Sequence, residues 1–372
     1  GWGVDLLLFD LRVHYPDWIP DAARLFVAAA TADSATVAQP GFDALRVRPR
    51  PWGARDGLAL ARALRGDFLA LPSADKLRKA RCMAAYIERE RPDIILPSLS
   101  SATVAALLAR HLVVSPPPVI PILHSLMKRK HNRRSIRHSG LFADAARVVA
   151  VSDGVAASAR DAAGIDAHKL VTIYNPVIAP ELDDLKAQAP AHPWFSDTGA
   201  PVILACGRLK EVKDFALLLN AFARVVQHRP CRLIILGEGP LRASLEALAR
   251  RLGVADKVSL PGFADNPYAF MARAALFVLS SRREGLPTAL IEALACGCPC
   301  VSVDCPSGPA EILQGGAIGR LTPVGDAAAL ADAMLQTLAH PPARDKLTAR
   351  AGFFSAERAV GLYEDLIRGE AA

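Results

Sequence analysis

The stretch that most constrains this chain's fold is Leu276 to Ala295. Leu276-Phe277-Val278-Leu279-Ser280-Ser281 is a short apolar run, the signature of a buried parallel strand. Thr288 to Ala295 reads as a helix, with Pro287 suited to the first helical position because its missing N–H is not needed there. Glu284-Gly285-Leu286 turns the chain between the two. A helix N-terminus of this kind leaves several N–H groups unpaired at the positive end of a dipole, which favours an anion such as phosphate. Thr288 and Glu292 are four apart and share one helix face. Glu284 stands at the carboxyl end of the strand, where ligands of open α/β sheets bind. Two carboxylates eight residues apart therefore flank an anion cradle, which suits a ligand carrying phosphate and hydroxyls.

The rest of the chain repeats the alternation. Strand candidates in the first half are Val4 to Phe9, Asp93 to Leu96, Val119 to Leu123 and Val148 to Val151, with helices over Ala74 to Arg89 and Ala102 to His111. Ser152-Asp153-Gly154 opens another helix, with Ser152 or Asp153 as its cap. Residues 181–199 are rich in proline and acid and read as an interdomain linker. A second series follows: Val202 to Cys206, Arg232 to Leu236, Val258 to Leu260, Leu276 to Ser281 and Cys300 to Val303. Phe215, Leu218, Leu219, Phe222, Val225 and Val226 form a stripe at the helical period after the first of these. Alternating strands and helices of this length imply parallel, doubly wound sheets.

At 372 residues the chain has room for two such domains. A hydrophobic share of 52% against 22% charged excludes a disordered polymer. The net charge of +7 favours anionic partners. Seven cysteines, an odd number without a secreted-domain framework, favour a reducing cytoplasm. The apolar stretch from Leu99 to Leu123 is broken by Arg110, His111 and three prolines, so no membrane span is expected.

Several constellations could carry chemistry. Gly207-Arg208-Leu209-Lys210-Glu211-Val212-Lys213 follows a strand; Arg208 and Lys213 could neutralise a diphosphate, or the loop could be merely solvated. Gly237-Glu238-Gly239-Pro240 is either a phosphate loop or a plain turn. His124, at the end of a strand, either holds a substrate hydroxyl or is structural. Residues 128–138 hold six cations and no acid, and fit an anionic lipid surface, a pyrophosphate-bearing acceptor or a solvated loop. Interleaved aromatics are missing there, so nucleic acid is not an expected partner. Cys296-Gly297-Cys298-Pro299-Cys300 with Cys305 has the wrong spacing for zinc and reads as packing. Asp-x-Asp does not occur, so nothing announces a carboxylate-held metal–diphosphate site.

Taken in order, these pieces resemble a known family. Gly207-Arg208-Leu209 with Lys213, Leu236 to Pro240, Gly262, Glu284-Gly285-Leu286-Pro287 to Glu292-Ala293, Ala295 to Pro299, Gly308 to Leu313 and Gly319 through Asp326 match the donor-binding half of retaining glycosyltransferase family 4, group 1. His124, Val149 to Ser152 and Tyr174 to Val177 extend the resemblance into the first half. It implies an α/β GT-B fold, two doubly wound Rossmann-like domains facing across a cleft. Residues 1–180 would form the acceptor-side domain, 181–199 the linker, 200–350 the donor domain, and 351–372 a C-terminal helix packing back toward the first domain.

The resemblance also assigns roles. Arg208 and Lys213, with Gly207, hold the donor diphosphate; Gly285, Leu286, Pro287 and Thr288 form the turn against it; Glu292 takes the ribose hydroxyls. Glu284 orients the transferred sugar and His124 contacts it, so these two are the catalytic candidates. No metal and no cofactor are implied, only a nucleotide sugar, UDP- or GDP-linked, as co-substrate. The expected acceptor is a saccharide or lipid-linked glycan of cell-surface polysaccharide or glycolipid synthesis, met in the cytoplasm or on the inner membrane face. A nucleotide-sugar epimerase, a sugar phosphorylase and a non-catalytic nucleotide-sugar-binding partner are the alternatives. Gly1 to Leu8 resembles the family's second strand, so a first strand and Gly-rich loop are expected upstream of the sequence given.

Overall fold

The computed structural model describes residues 5–8, 24–28, 45–47, 73–98, 100–127, 138–178, 181–196 and 199–371. The chain divides into two units: residues 1–150, 158–171 and 367–372 form the first, and 151–157 with 172–366 the second.

In the first unit, strands β1 (Asp5–Leu8), β2 (Arg24–Ala28) and β3 (Leu45–Val47) make a parallel sheet in that order. Helix α1 (Ala74–Glu90) and helix α2 (Ser100–Ala109) pack together. Arg91 ends α1 in the left-handed region at φ 48°, its N–H donating to Ile87 O. Strand β4 is only Ile122–Leu123, and Val119 joins Ile95 through an isolated parallel bridge. The strand expected over Asp93 to Leu96 is thus reduced to bridges at Ile95 and Ser98. Prolines explain the shortening, since Pro97, Pro118 and Pro121 carry no N–H for a ladder. Helix α3 (His138–Phe142) leads to β5 (Val148–Ala150), helix α4 (Asp153–Ala163) and β6 (Leu170–Thr172), and β4, β5 and β6 form a second three-stranded sheet.

The second unit is built on six parallel strands: β7 (Val202–Cys206), β8 (Arg232–Leu236), β9 (Val258–Gly262), β10 (Leu276–Leu279), β11 (Cys300–Val303) and β12 (Arg320–Thr322). Their spatial order is β12-β11-β10-β7-β8-β9. All but the edge strands are buried almost throughout, which is why they read as continuous apolar runs. Helix α6 (Phe215–His228) and helix α11 (Ala327–Ala339) cover one face. There Leu218, Phe222 and Val225 meet Leu330 and Met334 over Ile203, Ile235 and Val301. Phe222 is fully buried, and truncation of such a ring typically costs about 3–5 kcal/mol.

Helix α8 (Pro267–Arg273), helix α9 (Thr288–Ala295) and helix α12 (Arg344–Ala351) pack in sequence with one another. Helix α5 (Leu182–Ala187) lies on α8, where Asn266 Nδ2 donates to Leu185 O at 2.9 Å and Arg273 Nη2 to Ala187 O at 3.0 Å. Helices α7 (Arg242–Arg251), α10 (Pro309–Ile312) and α13 (Ala356–Ala371) complete the chain. In the first unit, Arg147 Nε donates to Glu370 Oε1 at 2.7 Å. Among the described residues no helix is long and apolar enough to cross a membrane.

Candidate functional site

The strand order decides which loops meet. β7 and β10 are neighbours although 69 residues of chain and two strands separate Cys206 from Leu276 in sequence order. The sheet grows from β7 toward β9 on one side and from β10 toward β12 on the other. That reversal is the switch point of a doubly wound sheet, where the loops leaving two adjacent strands diverge and open a crevice.

The loop after β7 is tied to the end of β10. Ser280 Oγ donates to Lys213 O at 2.8 Å and Arg282 N donates to Val212 O at 2.9 Å. Asp214 sits at φ 47°, and its carboxylate accepts from Leu217 N at 3.3 Å and from Arg282 Nε at 2.7 Å. One buried acid thus caps α6 and anchors the loop. These ties bring Lys213 Nζ to 2.7 Å from Glu284 Oε1, with the two side chains 25% and 13% exposed. Lys213 and Glu284 therefore form an ion pair between the loop after β7 and the loop after β10. Arg208, one residue past Gly207, is exposed and has no ion-pair partner among the described residues.

The turn after β10 matches the expected helix at Thr288 to Ala295 and differs at its entry. Pro287 has φ −75° and ψ 93°, so it is the cap residue of α9 and not the first helical residue. Its ring fixes φ, but the extended ψ keeps the chain outside the helix for one more residue. Leu286 is 8% exposed, and its N–H donates to no oxygen among the described residues. Gly285 is buried, and Thr288 is exposed at the helix start.

One turn along α9, Glu292 is half-buried and its carboxyl has no donor among the described residues. Burial pushes it up to about 7. Cys206 and Tyr268 share its surroundings: burial first, then the Glu292 charge, raises the thiol to about 11 and the phenol to about 12. At neutral pH Glu292 is divided between acid and carboxylate. Hydroxyl groups donating to it would favour the charged form.

The two other predicted glycines serve packing. A Cβ on Gly237, at φ +127°, would lie 2.2 Å from Gly207 O, and one on Gly239 would lie 2.5 Å from Leu209 O. The loops after β7 and β8 therefore cross backbone to backbone, with Leu209 N donating to Glu238 O at 2.9 Å. Of the open alternatives for Gly237-Glu238-Gly239, this crossing supplies a structural reason.

His124 directly follows β4 in the first unit, with Ser98 Oγ 2.8 Å from Nε2. Desolvation holds its imidazole below the ordinary value, so it is neutral at pH 7. Thr103, Val104, Met127, Leu141 and Phe142 line a pocket beside it. The basic run 128–137 lies outside the described residues. Cys296, Cys298, Cys300 and Cys305 are buried and free, and burial raises the Cys296 and Cys305 thiols to about 12 and about 11, so they pack as small apolar groups.

Several residues at this site carry roles the sequence did not reveal. Ser152 Oγ donates to Gly285 O at 2.9 Å and Ser307 Oγ to the same oxygen at 2.7 Å. Glu311 accepts from Asp153 N at 2.8 Å and Gly154 N at 2.9 Å, and Tyr174 OH donates to it at 3.0 Å. Ser152 had a legible role as a helix cap, which it fills by accepting from Val155 N at 3.2 Å. Its bond to a glycine 133 positions away had no local signal.

Comparison with known proteins gives this geometry a family. Residues 191–352 match the model described as glycosyl transferases group 1, and residues 34–179 match that described as glycosyltransferase family 4. A stretch of 122 residues is 43% identical to the N-acetylgalactosamine-N,N'-diacetylbacillosaminyl-diphospho-undecaprenol 4-alpha-N-acetylgalactosaminyltransferase of Campylobacter jejuni, covering 33% of each chain. The chain thus spans about a third of the length of that curated relative. The lipopolysaccharide 1,6-galactosyltransferase of Escherichia coli is 27% identical over 264 residues, 68% of each chain. The solved structure of Anabaena HepE in complex with UDP and glucose superposes with a TM-score of 0.67 at 19% identity, covering 94% of this chain and 91% of that one. Two consecutive family models, a shared fold and a donor-half motif series in the expected order converge on one conclusion: the chain belongs to glycosyltransferase family 4, the group 1 glycosyltransferases of the GT-B fold.

Proposed function

We propose that this chain is a retaining glycosyltransferase that moves a sugar from a UDP- or GDP-linked donor to a saccharide or lipid-linked acceptor in cell-surface polysaccharide or glycolipid synthesis. The observation that carries the reading is the arrangement at the β7/β10 switch point. A cation–carboxylate pair, Lys213 with Glu284, stands at one end of a turn with an unpaired amide, and the lone half-buried carboxyl of Glu292 stands at the other. In this reading Arg208 and Lys213 meet the diphosphate and Glu292 accepts the ribose hydroxyls. Glu284 and the Leu286 N–H orient the transferred sugar, and His124 is assigned one of that sugar's hydroxyls.

The leaving group is an anionic diphosphate, so the barrier falls chiefly by stabilising its charge as the glycosidic bond breaks. Lys213 is well suited to this task. Paired with Glu284 at rest, it gains a stronger partner as negative charge develops on the departing phosphate, which is the differential binding that speeds a reaction. Of the relatives named above, one is named for transfer onto a diphospho-undecaprenol glycan and another for transfer in lipopolysaccharide, which supports the acceptor class.

A panel of UDP, GDP and ADP sugars tests the reading, first by ligand-induced thermal shift and then by turnover. The double variant Arg208→Ala, Lys213→Ala is expected to lose donor binding by at least about 100-fold, the scale of two charge-assisted contacts. Undiminished turnover in that variant would sink the assignment. An altered sugar without acceptor would indicate an epimerase, and dependence on phosphate a phosphorylase.

A further inference from the structure

A carbonyl at the centre of the site is held with unusual thoroughness. Gly285 O faces two serine hydroxyls that lie 133 and 22 positions away in sequence, Ser152 at 2.9 Å and Ser307 at 2.7 Å. Both serines are buried, at 0% and 3% exposure. Their oxygens are also 2.8 Å apart. Each hydroxyl has one proton. Either both donate to Gly285 O, or one donates to the other, which then donates to Gly285 O. In both arrangements the carbonyl is fixed. Val155 N donates to Ser152 Oγ at 3.2 Å, which occupies a lone pair there and turns its proton outward.

The supports of these serines are equally specific. Glu311 takes the first N–H groups of α4, Asp153 N and Gly154 N, on its two oxygens at 2.8 and 2.9 Å, and Gly308 N at 3.3 Å. A carboxylate there suits the positive end of the helix dipole. Tyr174 OH stands 3.0 Å from Glu311 and 3.1 Å from Asp153. Two glycines make the approach possible: a Cβ on Gly154 would lie 2.7 Å from Ser307 Oγ, and one on Gly308 would lie 2.4 Å from Pro287 Cδ.

The consequence follows from peptide geometry. The Gly285–Leu286 bond is trans, since no cis peptide occurs among the described residues. In a trans peptide the N–H points opposite to the C=O. Locking Gly285 O against the serines therefore locks the Leu286 N–H on the opposite edge, where it has no acceptor among the described residues. We propose that Ser152 and Ser307 are positioning residues for transfer, aiming the Leu286 amide by gripping the carbonyl of the same peptide, with Glu311 holding Ser152 in place. The proposal rests on the donor reading given above, which assigns that amide to the moving sugar.

The test compares Ser152→Ala, Ser307→Ala, the double variant and Gly154→Ala with the unsubstituted chain. The donor is the one the panel identifies, and UDP and GDP are the binding probes. The double variant should lower kcat about 10- to 100-fold, the range expected when one pre-aimed donor or its orientation is lost, while diphosphate affinity stays within about two-fold. Gly154→Ala keeps both hydroxyls but displaces Ser307, and should lower kcat in the same sense. Amide hydrogen exchange over 284–290 should rise in the double variant. Unchanged kcat, with or without faster exchange, overturns the proposal, because the grip would then be structural only. Equal losses in kcat and in UDP or GDP affinity also overturn it, by showing general damage. An unsubstituted chain that binds and turns over no nucleotide sugar overturns the donor reading itself, and this proposal with it.

Discussion

Two glycine turns leave the same edge of the second unit's sheet, Gly237-Glu238-Gly239 after β8 and Glu284-Gly285-Leu286 after β10, and they end in different states. In the first, the room that glycine leaves is filled by the neighbouring chain: Gly207 O occupies the place of the missing Cβ. Its acid, Glu238, turns out to solvent and pairs with Arg242, whose hydrogen bonds hold the carboxyl below the usual range. In the second, two serines capture the glycine's carbonyl, leave the next amide unpaired, and the acid pairs with a lysine from another loop. Glycine beside an acid at a strand end is thus an ambiguous signal. What separates a packed crossing from a ligand cradle is whether a neighbour uses up the turn's polar groups.

The largest contrast is expected in turnover. Glu284→Gln should lower kcat by about 100-fold or more, since it removes the charge that the proposed reading sets beside the transferred sugar, while Glu238→Gln changes kcat by less than about two-fold. The first substitution also frees Lys213, so affinity for UDP or GDP should rise even as kcat falls. Steady-state kinetics with isothermal titration of the diphosphate reads both. Equal losses in the two variants would erase the distinction between the turns.

A second way to break the comparison acts on stability. Gly237→Ala puts a methyl onto Gly207 O and demands a positive φ of an alanine. About 2–4 kcal/mol of destabilisation is expected from overpacking and backbone strain together, read as a lower denaturant midpoint. A neutral Gly237→Ala would mean that the crossing is loose enough to admit a ligand.

The most gradual effect is a pH dependence, spread over more than two pH units. Burial raises the Glu292 carboxyl from its ordinary value of 4.5 to about 7. The folded state therefore holds this proton more tightly than the unfolded chain does. Its contribution favours folding below pH 4.5 and is lost as pH rises through about 7, worth up to roughly 3 kcal/mol across that window. Glu292→Gln removes the dependence, so its stability relative to the parent should grow between these pH values in matched denaturant melts. If Glu292 takes the ribose hydroxyls as proposed, saturating UDP or GDP should flatten the parent's curve, because hydroxyls donating to the carboxylate stabilise it.

Much of this was legible in the chain. The apolar runs of β7, β8, β10 and β11, the stripe of α6 and the helix over Thr288 to Ala295 are local patterns, and local patterns survive into the fold. The strands near Ile95 and Val119 were less so, because proline removes ladder donors that apolarity alone leads one to expect.

Sequence by itself determined the family motifs, the alternation of strands and helices, and the presence of two acids, a lysine and an arginine at strand ends. Only tertiary structure decided their company. Lys213 meets Glu284, 71 positions away, because β10 inserts beside β7, and Gly285 O meets Ser152 across 133. Strand order is a property of the whole sheet's packing, so no window of sequence contains it, and the polar partners that follow from that order cannot be read before the sheet is assembled.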